Sequence, residues 1–288
     1  MIENYLLAEL VAFSENKTLA KTAAQLRVTQ PTVTRGMQKL ESELNVKLFD
    51  RQPNKITLTK TGKLAARKAK ELLTANREFV TQIQNFALTQ RTIMVRSTAP
   101  GPLVVTNQLT KYFDLKIDHN FVQPQDVLKG LESNQYTFCF TSHEIQTDQV
   151  ESLYVGTEHL YVNLDRFMFL ASKQAVSFKE LQELSFIVLN DIGPWKQIIQ
   201  NHIPNAKFLY QAEQDALTEI TRYSNFPYFS TNVTVHEPQH KNDRVPIPIT
   251  DAAATMSFYV SYLKTQRKRL QPVFKQLIAL WPAEKKCS

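Results

Sequence analysis

A short run of hydroxyl, amide and guanidinium side chains is the part of this chain best suited to contacting a charged polymer. Residues 29–44 read TQPTVTRGMQKLESEL, and their apolar members recur at helical spacing, which leaves the polar ones on the other face. Such groups on one helix face can contact phosphates and base edges in the DNA major groove. An ordinary amphipathic surface helix has the same pattern, so both interpretations remain open here. The residues on the outer face are Thr32, Arg35, Gln38 and Lys39.

The elements around this run narrow the choice. Residues 19–26, LAKTAAQL, predict a short helix, and two residues connect it to Thr29, whose side chain suits an N-cap. Two short helices joined in this way, the second polar on its outer face, are typical of a helix-turn-helix. Residues 46–49 and 56–58 predict the two strands of a wing, with a basic turn between them at residues 51–55.

The run TLAKTAAQLRVTQPTVTRGMQKLESELNVKLFDR, followed by ITLTKTG, resembles the DNA-binding domain of the LysR-type transcriptional regulators. The similarity covers residues 6–73 without a gap and includes the core T-Q-P…L-E…L…L-F-x-R. It implies a winged helix-turn-helix that binds double-stranded operator DNA. A solvated turn charge is the alternative role for Arg51. The expected DNA-contacting residues are Thr18, Thr29, Gln30, Pro31, Thr32, Thr34, Arg35, Gln38, Arg51 and Lys55.

Length and composition bound the class of protein. The 288 residues allow roughly two domains, and 43% hydrophobic with 21% charged residues is typical of a globular protein. No apolar run approaches the roughly 20 residues that span a bilayer, and residues 1–20 lack a signal-peptide pattern. Cys139 and Cys287 do not form a disulfide framework or a zinc motif. We therefore expect a cytoplasmic protein.

The positive charge is concentrated at one end of the chain. Residues 1–90 contain 14 Lys and Arg against 8 Asp and Glu, which is +6 of the total net charge of +7. A basic first third on a nearly neutral remainder is the pattern expected when one domain binds a polyanion.

Residues 59–89 predict one long helix with an apolar seam at alternating spacings of three and four residues. A lone helix would leave this seam in water, so a partner helix is implied, and in the resembled family this linker helix pairs antiparallel across a dimer. Asn76 either fixes the register of the seam or lies hydrated at its edge. The seam residues are Ala65, Ala69, Leu72, Asn76, Phe79, Ile83 and Phe86.

After residue 92 short strands alternate with helices, which predicts a doubly wound parallel sheet. Two of the predicted strands are residues 160–163 and 167–171. The order of elements, and the segment VSFKELQELSFIVLN, resemble the effector-binding domain of the same family: two α/β subdomains of the periplasmic-binding-protein type. The predicted domains are the winged helix at 1–60, the linker helix at 61–90 and the effector-binding domain at 91–288. Within the last, subdomain I comprises 91–150 and 250–288, and subdomain II comprises 151–249.

Ligands of such folds bind in the crevice at the carboxyl ends of the strands. A Ser97 or Thr98 hydroxyl beside a helix start is suited to bind an anion, although helix capping by the same residues needs no ligand. We therefore predict a small polar or anionic effector between the subdomains. The residues expected near it are Ser97, Thr98, Ala99, Pro124, Thr141, Asn190, Asp191 and Thr231.

An enzymatic interpretation finds little support in the sequence. Cys139 and His143 share a strand face, but four strand residues separate them by about 13 Å, too far for a thiolate–imidazole pair. Glu213 and Asp215 are expected to flank a helix start instead of forming an acid–base pair. The sequence contains no GxGxxG, P-loop or GxSxG motif. His236 and His240 have no accompanying ligand at metal-site spacing. We expect no enzyme, no cofactor and no metal.

Three interpretations follow. The first is a ligand-responsive DNA-binding regulator, the second a regulator whose C-terminal domain serves only oligomerisation or a protein partner. The third is a solute-binding or enzymatic α/β domain fused to a winged helix. Under the first two, the expected partners are operator DNA, a second copy in a homodimer or homotetramer, and RNA polymerase.

Overall fold

The computed structural model describes residues 1–52, 55–234 and 244–282, and the chain divides into two compact units, Met1–Gln84 and Asn85–Ser288. Each unit has its own hydrophobic core. Within the described ranges, no helix is both long enough and apolar enough to cross a membrane.

Three helices form the body of the N-terminal unit. They are α1 (Asn4–Asn16), α2 (Leu19–Leu26) and α3 (Gln30–Leu44). Each ends at a residue in the left-handed conformation, namely Lys17, Arg27 and Asn45, with φ values of 61°, 56° and 52°. This ending turns the chain sharply while its N–H satisfies a carbonyl of the last helical turn. The helices pack around apolar side chains that are almost fully buried: Leu6, Leu10, Phe13, Val33, Met37, Leu40 and Leu48.

The wing follows α3 and consists of β1 (Phe49–Gln52) and β2 (Lys55–Leu58), paired antiparallel from Phe49↔Leu58 to Gln52↔Lys55. The tip residues of the predicted basic turn, Pro53 and Asn54, lie outside the described residues. The predicted two-stranded wing is present, but its first strand begins at Phe49 instead of Val46. The residues at the start of this strand are hydrogen-bonded to α3 and to Thr59, which precedes the next helix.

The long helix predicted for residues 59–89 is α4 (Lys60–Arg91), which has 32 residues. Thr59 connects its first turn to the segment before the wing. The Thr59 N–H donates to the Leu48 carbonyl at 2.9 Å, its hydroxyl donates to the Lys47 carbonyl at 3.0 Å, and the same hydroxyl accepts from the Gly62 N–H at 2.9 Å. The wing and the start of α4 therefore form one hydrogen-bonded corner.

We expect Gly62→Ala to destabilise the N-terminal unit, because a Cβ atom there would lie 2.1 Å from the Leu48 carbonyl oxygen. That oxygen belongs to the backbone and cannot rotate away, so overpacking should cost about 1–3 kcal/mol. Denaturant unfolding of the full chain measures the change, with the exposed neighbour substituted in Thr61→Ala as the control. Unfolding of Gly62→Ala at the parent's denaturant concentration would show that this corner relaxes freely.

Seven strands form the main sheet of the C-terminal unit, in the order β10-β6-β11-β5-β3-β4, with β9 also pairing β6. Strands β7 and β8 form a separate parallel pair. The strands are β3 (Ile93–Ser97), β4 (Leu115–Ile117), β5 (Phe138–Thr141), β6 (Val150–Asp165), β7 (Ser185–Leu189), β8 (Lys207–Gln211), β9 (Tyr228–Thr231), β10 (Arg244–Pro248) and β11 (Thr255–Leu263). The helices are α5 (Gly101–Asn107), α6 (Val127–Glu132), α7 (Trp195–His202), α8 (Gln214–Tyr223) and α9 (Arg267–Leu280).

Two long strands carry the chain between the halves of this unit. We call β3 to β5 with α5, α6 and α9 the first half, and β7 to β10 with α7 and α8 the second half. Strand β6 leaves the first half and β11 returns to it, and the two pair antiparallel from Thr255↔His159 to Leu263↔Val150. One cluster of buried apolar side chains includes residues of both halves, from Ile93 through Phe186 to Leu277. The subdomain boundaries expected from the sequence remain a prediction.

The α/β fold class is confirmed, but the main sheet is mixed, whereas the sequence predicted a parallel one. Strand β3 runs parallel to β4 and β5, whereas β11 runs antiparallel to both β5 and β6. Alternating strands and helices predict the direction of successive strands within one βαβ unit. They carry no information on strands that cross between halves and pair with each other.

The strand predicted at residues 167–171 was also wrong. Residues Phe169–Ser172 form a single turn of 3₁₀ helix, and the strand predicted at residues 160–163 is the end of the 16-residue β6. Phe167 and Phe169 are largely exposed, and the cationic side chains of Arg166 and Lys173 lie over their rings. Met168, Leu170 and Ala171, between and after these two rings, are half-buried and pack against the core.

Candidate nucleic-acid interface and ligand site

The N-terminus of α3 presents the polar face that the sequence predicted. Thr29 caps the helix: its hydroxyl accepts from the Thr32 N–H at 3.3 Å and lies 2.8 Å from the Thr32 hydroxyl. Gln30 is the first helical residue and is exposed, with Pro31 next to it. Because the cap ties two of the hydroxyls to each other, the amide of Gln30 is the group most available to a base edge.

Further along α3 the two faces separate as expected, with two exceptions. Arg35 and Gln38 are exposed, while the half-buried Thr34 hydroxyl donates to the Gln30 carbonyl at 3.0 Å. Leu44 was expected on the apolar face, but it is 36% exposed at the last helical residue. Thr18, the remaining helix-turn-helix candidate, caps α2 by accepting from the Lys21 N–H and is exposed.

Glu41 joins α3 to the wing, and sequence reasoning gave it no role. Its Oε1 accepts from the N–H groups of Leu48 at 2.7 Å and Phe49 at 3.0 Å, and its Oε2 accepts from Arg51 Nη2 at 3.2 Å. One carboxylate thus holds the start of β1 and a wing cation. The sequence signal for this role was the Leu40-Glu41 pair of the quoted motif. The leucine is needed for packing, whereas the glutamate beside it is not.

A groove of about 1280 Å³ lies beside Gln30, between the α1–α2 corner, the wing and the start of α4. Its lining includes apolar side chains and more cationic than anionic ones, with Glu15 as the acidic member. Basic side chains along a groove are suited to the phosphates of a duplex, where each neutralised phosphate releases counterions. The basic lining residues are Lys17, Lys55, Lys63, Arg67 and Lys70.

The predicted seam of α4 divides into two parts. Ala69 is buried and Ala65 half-buried in the core of their own unit, so they do not continue the exposed stripe. Beyond them Phe79 is 65% and Ile83 57% exposed. Asn76 donates to Asn4 Oδ1 on α1 at 3.0 Å, which gives this side chain a partner within its own chain. The apolar stripe that the structure leaves in solvent consists of Leu72, Phe79, Val80, Ile83 and Phe86.

Several of the predicted effector-binding hydroxyls are engaged inside the C-terminal unit. The Ser97 hydroxyl donates to the Ala99 carbonyl at 2.6 Å and accepts from the Ala99 N–H at 3.0 Å. The Thr141 hydroxyl donates to the His143 carbonyl and lies 3.0 Å from Ser261 Oγ. The Thr231 hydroxyl accepts from the Val233 N–H. Each of these side chains is almost fully buried.

Thr98 differs from its neighbours. It is buried, and its hydroxyl has no hydrogen-bond partner among the residues that the structure describes. The loop before α7 packs against it, because a Cβ atom on Gly193 would lie 2.9 Å from the Thr98 carbonyl oxygen. Gly193 has φ +59°, so both its conformation and this close approach require glycine.

The structure therefore brings the β3–α5 turn and the β7–α7 loop together. These segments contain Ser97, Thr98 and Ala99 on one side and the exposed Asn190 and Asp191 on the other. Thr231 is the last residue of β9. The side-chain oxygen of the next residue, Asn232, accepts a hydrogen bond from the His159 N–H. Pro124 is exposed at the start of a 3₁₀ turn before α6.

Two residues at this junction were not singled out from the sequence. Glu158 of β6 is fully buried, and its Oε2 accepts from Trp195 Nε1 at 2.8 Å. Burial raises the pKa of Glu158 to about 7, and the Trp195 N–H partly opposes that rise. The available signal was a carboxylate within the strand-forming run LYVGTEHLYV.

The side chains considered for catalysis are placed for other roles. Cys139 is buried, which raises the pKa of its thiol, and the exposed His143 contributes its carbonyl to Thr141. Glu213 and Asp215 stand at the start of α8. His236, His240 and Cys287 lie outside the described residues. Among residues 1–52, 55–234 and 244–282, no three His, Cys, Asp or Glu side chains are grouped to hold a metal ion.

Comparison with known proteins agrees with these features. Residues 6–63 match the family described as bacterial regulatory helix-turn-helix protein, lysR family. An uncharacterized HTH-type transcriptional regulator of Escherichia coli, YbhD, is 25% identical over 177 residues, which cover 59% of this chain and 56% of YbhD. Over the first curated relatives that it matches, the chain spans between about half and three fifths of their length.

Solved structures share the fold at low sequence identity. Vibrio fischeri DarR in complex with DNA has a TM-score of 0.60 and 15% identity, with 96% of this chain and 99% of that chain covered. A full-length OxyR variant of Pseudomonas aeruginosa has a TM-score of 0.53 and 16% identity, with 100% and 99% covered. Residues 6–63 thus match the helix-turn-helix of the lysR family, and the chain as a whole is similar in fold to solved transcriptional regulators.

Proposed function

We propose that this protein is a sequence-specific DNA-binding transcriptional regulator. The observation that supports it most is the exposed polar face of α3, with Gln30 at its first turn, beside a groove rimmed by cations. The amide of Gln30 is suited to the two hydrogen bonds that adenine offers in the major groove, and the rim cations are suited to phosphates. Such a regulator acts on chromosomal DNA, so we also propose a cytoplasmic location, with RNA polymerase as a further partner.

The exposed stripe on α4 supports a homodimer or homotetramer. Large apolar side chains exposed in a row along one helix are typical of an interface, because isolated ones are common on surfaces but a continuous row is not. Phe79 and Ile83 would pack against a second copy of α4. A dimer would place two copies of α3 on two half-sites of the operator.

Selection of bound fragments from the source genome, followed by footprinting, tests the DNA-binding proposal. We expect protection of two related half-sites with centres about 10 base pairs, or a multiple of this, apart. The neighbouring genes would indicate the regulated pathway. Binding without sequence preference, or protection of a single half-site, would contradict the proposal of a dimeric operator-specific regulator.

We further propose that the C-terminal unit responds to a small polar or anionic effector near the β3–α5 turn. The unpartnered Thr98 hydroxyl and the contact between this turn and the Gly193 loop support it. An effector that prefers one arrangement of the two turns would shift a pre-existing equilibrium. The alternative is a C-terminal unit that serves oligomerisation or a protein partner, and the internal bonds of Ser97, Thr141 and Thr231 favour it.

The Thr98→Val and Asn190→Leu double variant separates these alternatives. We expect it to keep its fold and its DNA affinity, but to lose the response of DNA binding to any metabolite that acts on the parent. Thermal denaturation against metabolite pools identifies such a metabolite, because a bound ligand stabilises the folded state by mass action. A double variant that responds like the parent would place the effector elsewhere, and a parent that responds to nothing would favour the alternative.

A further inference from the structure

One carboxyl group in the C-terminal unit is bonded to one distant segment and packed against another. Glu158 lies in β6, its Oε2 accepts from Trp195 Nε1 at the start of α7, and its Oε1 is directed at the start of α5. A Cβ atom on Gly101 would lie 1.3 Å from Oε1, so only glycine fits opposite the carboxyl. The first half, the second half and the strand between them therefore meet at this side chain.

The hydrogen bonds of this carboxyl are incomplete. Oε1 is buried and accepts no hydrogen bond from any residue that the structure describes. A carboxylate has about four acceptor sites, and leaving them empty in a buried position is strongly unfavourable. A neutral carboxylic acid has less to lose, because its burial removes no net charge from water. The unpartnered Oε1 thus favours the protonated form of Glu158.

No described cation compensates a negative charge on Glu158. Among the titratable residues on the elements around it, Lys196 of α7 donates to the Asn190 carbonyl, and His202 lies 2.9 Å from the Ile198 carbonyl. His159 follows on β6, and its Nδ1 lies 3.3 Å from Thr255 Oγ1. Asp191 is exposed. Burial is the main influence on the pKa of Glu158, which rises to about 7.

We propose that Glu158 is a proton-binding residue that holds the β3–α5 turn and α7 together when neutral, and that loss of its proton to water loosens their contact. The neutral acid is compatible with the closely packed position between Gly101 and Trp195. The carboxylate is stabilised by water, which reaches it only if one of these segments moves. The ionised form therefore favours an arrangement with the two halves further apart.

The direction of the pH effect follows from the raised pKa. A carboxyl whose pKa is about 7 in the folded state and 4.5 ordinarily is protonated in the folded protein across that interval. Its contribution to the free energy of unfolding is then fully present at the acid end and declines as pH rises through about 7. The closed arrangement is favoured on the acid side and the looser one on the alkaline side.

This inference stands whether or not the C-terminal unit binds an effector, and only its transmission to DNA rests on the proposed function. The same turn contains Thr98, and the loop that packs on it contains Gly193, two residues before Trp195. Movement at Glu158 would thus change the segments around the proposed effector position. By linkage, anything that prefers the looser arrangement would promote release of the proton.

The test uses intrinsic fluorescence of the full chain between about pH 5 and pH 9, where Glu158 should titrate. The chain has two tryptophans, and Trp195 donates directly to the titrating carboxyl. We expect a fluorescence step with its midpoint near 7 in the parent, absent in Glu158→Gln and in Trp195→Phe. The exposed carboxylate variant Glu219→Gln should keep the step. A step that persists in Glu158→Gln would overturn the proposal.

Thermal stability gives a second readout that does not depend on one variant. Relative to the parent, Glu158→Gln should gain melting temperature as pH rises from about 4.5 to about 7, because the amide cannot ionise. Trp195→Phe removes the N–H that favours the carboxylate and so raises the pKa of Glu158 further. The pH midpoint of its melting-temperature profile should therefore lie above the parent's. Parallel stability profiles for parent and both variants would overturn the proposal. DNA affinity gives a separate outcome. If the parent shows the fluorescence step but its DNA affinity depends on pH in the same way as that of Glu158→Gln, the proton site is upheld and its transmission to DNA is overturned.

Discussion

Phe79→Asp should sediment as a monomer and lose most of its affinity for a two-half-site operator. Phe79 is 65% exposed on α4 and belongs to the stripe that we assign to the dimer interface. An unpaired charge in a buried interface costs about 3–5 kcal/mol. That penalty raises the dimer dissociation constant by about 10²- to 4 × 10³-fold. Operator affinity falls with it because two half-sites are no longer held by one assembly.

Thr81→Asp is the matched control for this experiment. Thr81 is exposed on the same helix. It lies on the face opposite Phe79, because a step of two residues turns an α-helix by about 200°. It should stay dimeric and keep operator affinity, and analytical ultracentrifugation at several concentrations distinguishes the two variants. A dimeric Phe79→Asp protein would show that the stripe packs elsewhere and would remove the support for dimerisation through α4.

Gln30→Ala and Arg51→Ala should weaken DNA binding in different ways. Loss of a good bidentate contact from Gln30 costs about 1–3 kcal/mol on the preferred operator and relaxes the base preference at one position. Loss of a phosphate contact from Arg51 should weaken all sequences alike and reduce the salt slope by about 1. Part of the Arg51 effect is structural, because its guanidinium also binds Glu41.

The comparison needs a variant of α3 outside the proposed contact. Lys39 serves, because its ammonium is engaged with Glu3 at 2.8 Å on the side of α1. Lys39→Ala should retain the base preference of the parent. Anisotropy titrations on matched and mismatched duplexes at several salt concentrations measure both quantities. Operator affinities of Gln30→Ala and Arg51→Ala equal to the parent's would refute the assignment of both residues.

The parts of the fold that could be predicted are those whose residues interact along the chain. The α3 helix has its cap at Thr29 and a buried apolar stripe from Val33 to Leu40, so local preference and packing agree. The helix predicted at residues 19–26 is α2 (Leu19–Leu26), and the long helix predicted at residues 59–89 is α4 (Lys60–Arg91). Their boundaries follow from short-range patterns of burial.

The parts that could not be predicted depend on contacts between distant segments. The direction of β11 follows from its pairing with β6, about a hundred residues earlier in the chain, and no local pattern encodes it. The hydroxyl of Ser97 was a reasonable ligand candidate until its bonds to Ala99 were known. Glu158 was overlooked for a similar reason, since its burial results from α5 and α7 together.

Under the proposed function, the carboxylate that joins the wing to α3 affects how a regulator of this kind acquires new targets. Glu41 fixes the wing to the C-terminal half of the helix, while the base-reading candidates lie in its first turns. Substitutions at residues 30–35 can therefore change which bases are preferred without moving the wing relative to α3. A duplicated gene of this kind would diverge toward a new operator through a few changes at one helix end. Changes at Glu41 itself would disturb every target at once, so we expect it to evolve slowly.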